Sequence, residues 1–389
     1  MAERSTINQL VQIASETVIG NGTAVGTNYA TLKTIGIEPS PKVEIDQFKP
    51  AGSKFKTFAA LSKEWVTASI SGRPSYNEII WMLNGVLCKG ANASMSPATK
   101  TWQWLYSPSN TADDTVSTYV LIHGSSARYD KISYAMVSEL GLSFSRAGID
   151  LTGSMIGRAM SDGTTIGTAG TGVMPTTPVL PTQISVYVNA GGAVGAPVWT
   201  GVYSTIADSI AAPQYGTGSA AVTATGSGDT NKIGVGRLTR LISIDWNIGN
   251  RFSPVYTLDS IGAGLGWKNG FVTHIEAEPD LSMNMTVEAD LEGMGLLNTM
   301  RDGDTKSIRI EAVGGTIETA TAIYKNKLRI DTMTKVVDTG GFRDSDGLYA
   351  IDWSLAGVYD AGWGKATEVT VWNEMPISGP AEYGTYLHA

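Results

Sequence analysis

One cysteine in 389 residues, Cys88, excludes an intrachain disulfide. It sits among apolar neighbours with Lys89 as the one cation close by, so a structural thiol is expected in place of a reactive one. Histidine is nearly as scarce. His123, His274 and His388 stand at no metal-ligand spacing from each other or from Cys88, which leaves no zinc set and few general bases. Charged residues make up only 16% of the chain, and no apolar run approaches the roughly 18 residues of a spanning helix. The opening Met-Ala-Glu-Arg-Ser lacks a basic region feeding an apolar one, so folding in a cytoplasm, away from membranes, is expected.

What charge there is leans acidic, with a formal net of −8. Between Lys268 and Arg301 every full charge is negative, including Glu276, Glu278, Asp280 and Glu288. Tight binding to nucleic acid draws most of its affinity from a basic face, which this chain lacks.

Glycine is abundant, at 45 residues, with short apolar runs set between turn residues, the pattern of an all-β chain. Apolar residues alternate at Ile132, Tyr134, Met136, Leu140, Leu142 and Phe144. The same alternation recurs at Ile242 to Ile248, Leu281 to Val287 and Tyr349 to Leu355. Helices are few. Ser75 and Glu78 open a capping box before the apolar stripe Ile79, Ile80, Leu83, Val86 and Leu87, predicting a helix from Ser75 to Leu87. A second is predicted from Leu291 to Met300, where Gly293 and Gly295 weaken the pattern.

These elements recur in order. Val66-Ala68-Ile70 leads into the first helix as Met283-Met285-Val287 leads into the second. Ile149-Asp150-Leu151 matches Ile351-Asp352-Trp353, and Thr182 to Tyr187 matches Thr367 to Trp372. The expectation is an arm at 1–30, a first β-domain at 31–190, a Gly/Ala/Ser/Thr-rich linker or insertion at 191–235 and a second β-domain at 236–389. The arm, with Val11, Ile13, Val18 and Ile19 as its apolar content, is expected to order on a neighbour and to be dispensable for folding.

Catalytic patterns do not assemble. Gly262-Ala263-Gly264-Leu265-Gly266 lacks the strand-loop-helix setting of a phosphate loop. Arg343 to Gly347 resembles the start of a calcium loop without its closing glutamate, so a turn between strands is expected near Asp344. Trp102 and Trp104 share one strand face, as a sugar platform or, more simply, as core or interface. No enzyme, cofactor or metal is expected.

Several segments are similar to those of siphophage major tail proteins. These are Val11-Gln12-Ile13-Ala14-Ser15-Glu16 with Gly22-Thr23-Ala24-Val25, Ile37-Glu38-Pro39-Ser40-Pro41, Ala51-Gly52-Ser53-Lys54 before Trp65, and the helix with Ile80-Trp81-Met82-Leu83. Leu241-Ile242-Ser243-Ile244 and Asn250-Arg251-Phe252-Ser253-Pro254 resemble the matching part of such repeats. The resemblance implies two tandem β-sandwich tail-tube domains, each with one flanking helix, assembling side by side into rings around an inner β-barrel. A two-domain subunit then reaches sixfold pseudo-symmetry as a trimer. It implies a virion tail tube for genome ejection, with Glu276, Glu278, Asp280 and Glu288 lining the channel and the arm residues Val11, Ile13, Val18 and Ile19 between rings. Implied partners are further copies of the chain, a tape measure protein in the lumen, terminator and distal tail proteins at the ends, and DNA in transit. The alternatives are a carbohydrate-binding β-sandwich and another virion surface or decoration module; an all-β hydrolase has least to support it.

Overall fold

The computed structural model describes residues 9–24, 29–94, 100–125, 128–162, 175–190, 236–238, 240–257, 270–289, 300–301, 303, 305–319, 323–361 and 363–374. The expected linker 191–235, the glycine run 262–266 and His388 lie outside the described residues. So does the second predicted helix apart from its last residue, Met300, which is helical together with Arg301.

The chain is mostly β, with one α-helix among the described residues. Its first half supplies β1 (Leu10–Ser15), β2 (Ala30–Leu32), β3 (Ile35–Phe48), β4 (Phe58–Gly72), α1 (Ile79–Val86), β5 (Ala91–Ser94) and β6 (Thr101–Tyr106). β7 (Tyr119–Ser125), β8 (Arg128–Ser145), β9 (Ile149–Gly157) and β10 (Ala159–Asp162) complete it. The second half supplies β11 (Ile184–Ala190), β12 (Gly236–Arg237), β13 (Leu241–Gly249), β14 (Phe252–Val255), β15 (Thr273–Glu276) and β16 (Asp280–Glu288). It ends with β17 (Thr305–Thr319), β18 (Ile323–Ser345), β19 (Leu348–Gly357) and β20 (Thr367–Glu374).

All pairings are antiparallel, and two four-stranded runs share one strand order. The first lies β3-β4-β9-β8 and the second β13-β16-β19-β18, so that in each the later pair of strands is reversed in space. The long strands β8 and β18 each leave their run at the N-terminal end. There β8 pairs with β7 and β10, and β18 with β17 and β20; β1 then flanks β7 as β11 flanks β17.

This pairing corrects three expectations from sequence. β11, placed at the end of the first domain, instead joins β17 and β12 in the second half. The strand in β20's position in the first half is β10, so the match of Thr182 to Tyr187 with Thr367 to Trp372 was one of composition. Residues of β4 and β9 also correspond to β16 and β19 two positions away from the sequence match. Arg158 N donates to Ser133 O and Val358 N to Met333 O, which makes Leu151 the counterpart of Ile351. Alternation repeats every two residues, so a slip of two residues preserves the pattern and cannot be seen in it.

The third correction concerns the arm. β1 is an interior strand, with Gln12 opposite both Thr31 and Ile122, and Ile13 and Ala14 are fully buried. Beyond it the Glu16 carboxylate accepts from Gly20 N, Gly22 N, Tyr134 N and Thr118 Oγ1 at 2.7–2.9 Å. Val11 is half-buried, while Val18 and Ile19 are exposed on the turn that follows.

α1 is buried along its whole length and starts later than predicted. Ser75 Oγ accepts from Glu78 N at 3.1 Å, but the reciprocal half of the capping box does not form. Glu78 turns instead to the backbone between β2 and β3, accepting from Lys33 N, Thr34 N and Thr34 Oγ1. Gly85 allows the helix to close on the sheet, since a Cβ there would stand 2.7 Å from Val137 Cγ2.

Candidate assembly interface

The two four-stranded runs meet edge to edge. β8 pairs with β13, with Ile244 opposite Phe144, Trp246 opposite Leu142 and Ile248 opposite Leu140, making a continuous eight-stranded sheet from β3 to β18. One face carries these apolar side chains into a single core shared by both halves. The other is polar, with Asp150, Thr152, Ser143, Asp245, Asn247, Asn284 and Asp352 in alternate positions.

Both outer edges of this sheet are open among the described residues. β3 pairs only with β4, and β18 from Val336 to Ser345 pairs only with β19. Apolar side chains cluster at both. Val43, Ile45, Phe48, Phe58 and Leu61 are exposed toward the far end of the β3–β4 hairpin. Phe342 stacks on Tyr349 at 4.7 Å near the β18–β19 turn, with 50% and 60% of their surface exposed. Leu142 and Ile149, their counterparts at the internal joint, are 1% and 2% exposed. Unpaired strand edges present N–H and C=O groups on which a further strand can add, and exposed aromatic patches are the surfaces such addition would cover.

The internal joint is strengthened by the excursion between β13 and β16. Arg251, buried, donates to Val86 O and Leu87 O at the end of α1 and pairs with Asp114 at 2.9 Å and Glu276 at 2.7 Å. Arg158 donates to Phe271 O, Val272 O and Gly20 O at 2.6–2.7 Å, so one guanidinium ties the β9–β10 corner to both the excursion and the turn after β1. Its plane lies over Tyr134, which is held at φ 52° where β8 leaves the four-stranded run.

Tyr134 Oη bonds His274 Nδ1 at 2.8 Å. Burial pulls the His274 pKa below its ordinary value, partly offset by Glu276. A depressed histidine pKa contributes stability that is present above the unfolded value of about 6.5 and is lost as pH falls through it. Hydrogen exchange of amides 270–278, corrected for intrinsic rate, is therefore expected to be faster at pH 5 than at pH 7.5. His274→Phe should flatten that dependence.

The four expected channel acids separate. Asp280 and Glu288 lie at the two ends of β16, on the polar face; Glu288 pairs with Arg240. Glu276 is committed to Arg251 and to Asp114 N, so it is part of the joint and not of an open acidic surface. Glu278 stands in the connection to β16, its carbonyl accepting from Asn250. The register sets Asp150, Asp245 and Asp352 on the polar face; each stands alone between uncharged neighbours, so no acidic run marks them in the sequence.

Other sequence candidates are structural. Burial pushes the Cys88 thiol up to about 11, which makes it a poor nucleophile. Asp344 caps a two-residue hairpin turn through Gly347 N, with Asp346 and Gly347 at positive φ, as the turn requires. Trp104 is buried and donates to Asn373 Oδ1, and Trp102 is half-buried, so the pair forms no open aromatic platform. No group of three or more metal-ligating side chains occurs among the described residues. No protein-family model matches the chain, and no curated protein matches it.

Proposed function

We propose that this chain is the structural subunit of a phage-type tail tube, a pair of tandem β-sandwich tail-tube domains that polymerises into stacked rings around a channel. The observation that carries it is the eight-stranded sheet, built of two runs of identical strand order, joined internally and, among the described residues, open at both edges. A sheet that already joins one run to the next edge to edge extends by the same step to a second chain, and rotation about a common axis closes it into a barrel without edges. Three copies would give six runs. The polar face then lines the lumen, where Ser, Thr and Asn side chains and scattered acids surround cations already held by carboxylates, Arg343 by Asp352 and Lys63 by Glu44, and so offer little to hold the phosphates of passing DNA. Tape measure, terminator and distal tail proteins would be the remaining partners.

The purified protein is expected to form rings or tubes with a central channel in negative-stain micrographs as its concentration rises. Globular monomers at every concentration would defeat the proposal.

A further inference from the structure

The internal β8–β13 joint is a template for the contact between chains, and it specifies a register. We infer that the β18 edge of one copy pairs antiparallel with the β3 edge of the next, with Phe342 opposite Pro39, Arg343 opposite Glu38 and Asp338 opposite Lys42 of the second copy. This rests on the tail-tube proposal for its context but on the pairing geometry for its detail.

The register follows from counterparts. Phe342 lies opposite Ile351 in β19 as Leu142 lies opposite Leu151 in β9, so Phe342 stands for Leu142. On the other side, Gly357 is opposite Leu281 by continuation of the β16–β19 ladder, as Gly157 is opposite Val66, so Leu281 stands for Val66. Ile248, opposite Leu281, then corresponds to Pro41, opposite Val66, and Trp246 to Pro39. Trp246 faces Leu142 inside the chain, which sets Phe342 against Pro39 between chains. One bulge falls at equivalent places in β8 and β18, Val137/Glu139 and Val336/Asp338, so Asp338 stands for Glu139; a second bulge in β18, between Thr339 and Phe342, accounts for the one extra residue that separates Asp338 from Phe342. Glu139 lies against Gly249, the residue for which Lys42 stands.

Two independent features agree with this alignment. Nothing in the derivation used charge, yet it sets Arg343, half-exposed and bonded to Asp352 in its own chain, against the exposed Glu38, and the exposed Asp338 against the exposed Lys42. A slip of two residues would lose both matches. The apolar contrast agrees as well, because the joint would cover Phe342 and Tyr349 as the internal one covers Leu142 and Ile149. Pro39 and Pro41 take two N–H groups from β3, which discourages indiscriminate strand addition and leaves selection to the side-chain pairs. The contact is heterologous, each copy offering one edge of each kind, so it propagates around a ring and does not stop at a dimer.

The test is disulfide trapping in a Cys88→Ser background. Directly opposed residues bring their Cβ atoms to about 4.5–5.5 Å. Under mild oxidation, Glu38→Cys with Arg343→Cys should give a ladder of two, three and more linked copies on non-reducing gels. Either single variant should give no species above a dimer, and Ile37→Cys with Arg343→Cys, whose side chains fall on opposite faces, should give no ladder. In parallel, Glu38→Arg or Arg343→Glu alone should raise the concentration needed for assembly roughly tenfold or more, with recovery in the double variant. Tubes without a ladder, or an equal ladder from the out-of-register pair, would overturn the joint while leaving the tube proposal standing. A ladder without tubes would uphold the joint and sink the tube proposal; neither ladder nor tubes would sink both.

Discussion

Arg251→Met is expected to lower the unfolding free energy by about 3–5 kcal/mol, the usual cost of removing one partner from a buried ion pair. Arg251 is 1% exposed and forms two ion pairs, while its remaining donors satisfy two carbonyls at the end of α1. Its loss strands the carboxylates of Asp114 and Glu276 on low-dielectric ground and leaves the carbonyls of Val86 and Leu87 unpaired. The site also binds the second half of the chain to the helix of the first, so the damage should spread across the joint. Arg251→Lys should recover only part of the loss, since an ammonium cannot reproduce the planar fork that reaches four acceptors. The triple variant with Asp114→Asn and Glu276→Gln should recover more, because no charge is then left uncompensated. Denaturant midpoints of the four proteins check the order; equal midpoints for Arg251→Met and the unaltered chain would show that water reaches the cluster freely.

How much of this was legible beforehand depends on whether a residue obeys a periodic rule. The run from Ile132 to Phe144 was visible as one long strand, and it is one. Yet its alternation hides a change of partner: Ile132, Leu140, Leu142 and Phe144 belong to the main core, whereas Tyr134 and Met136 pack with Phe271. The bulge between Val137 and Glu139 restores the phase, and periodicity alone cannot distinguish a straight strand from one that bends between two sheets. The outer half of β3 alternates too, Val43 and Ile45 against Lys42, Glu44 and Asp46, but both sets are exposed, so the alternation there marks no core face of this chain. Arg158 and Arg251 carry no sequence signal of their role for the opposite reason. A lone arginine in a loop reads as solvated, and only the carbonyls and carboxylates that converge on it in space make it a buried fastener. The open edges could not be read at all, since an edge is defined by the absence of a partner.

Deleting residues 1–16 is expected to prevent folding to a soluble product, whereas a chain beginning at residue 9 keeps β1 and serves as the reference. β1 lies between β2 and β7, so its removal leaves two rows of ladder hydrogen bonds unpaired inside the sheet and opens the apolar surface beneath Ile13 and Ala14. It also removes Glu16, whose carboxylate is the acceptor for three backbone N–H groups and one hydroxyl. Among those donors is Tyr134 N, at a residue held in the left-handed region, so the corner of β8 loses the contact that fixes it. Ile13→Ala isolates the packing share and should cost about 2–5 kcal/mol, the range for truncating a fully buried isoleucine. Glu16→Gln isolates the charge; it keeps a carbonyl acceptor but weakens the charge-assisted bonds and should cost less than the deletion. The measurements are soluble yield, far-ultraviolet circular dichroism and melting temperature for each variant beside the reference. A 1–16 deletion that melts with the reference would show that β7 and β2 can close the sheet without β1, and would return this segment to the role of a detachable arm.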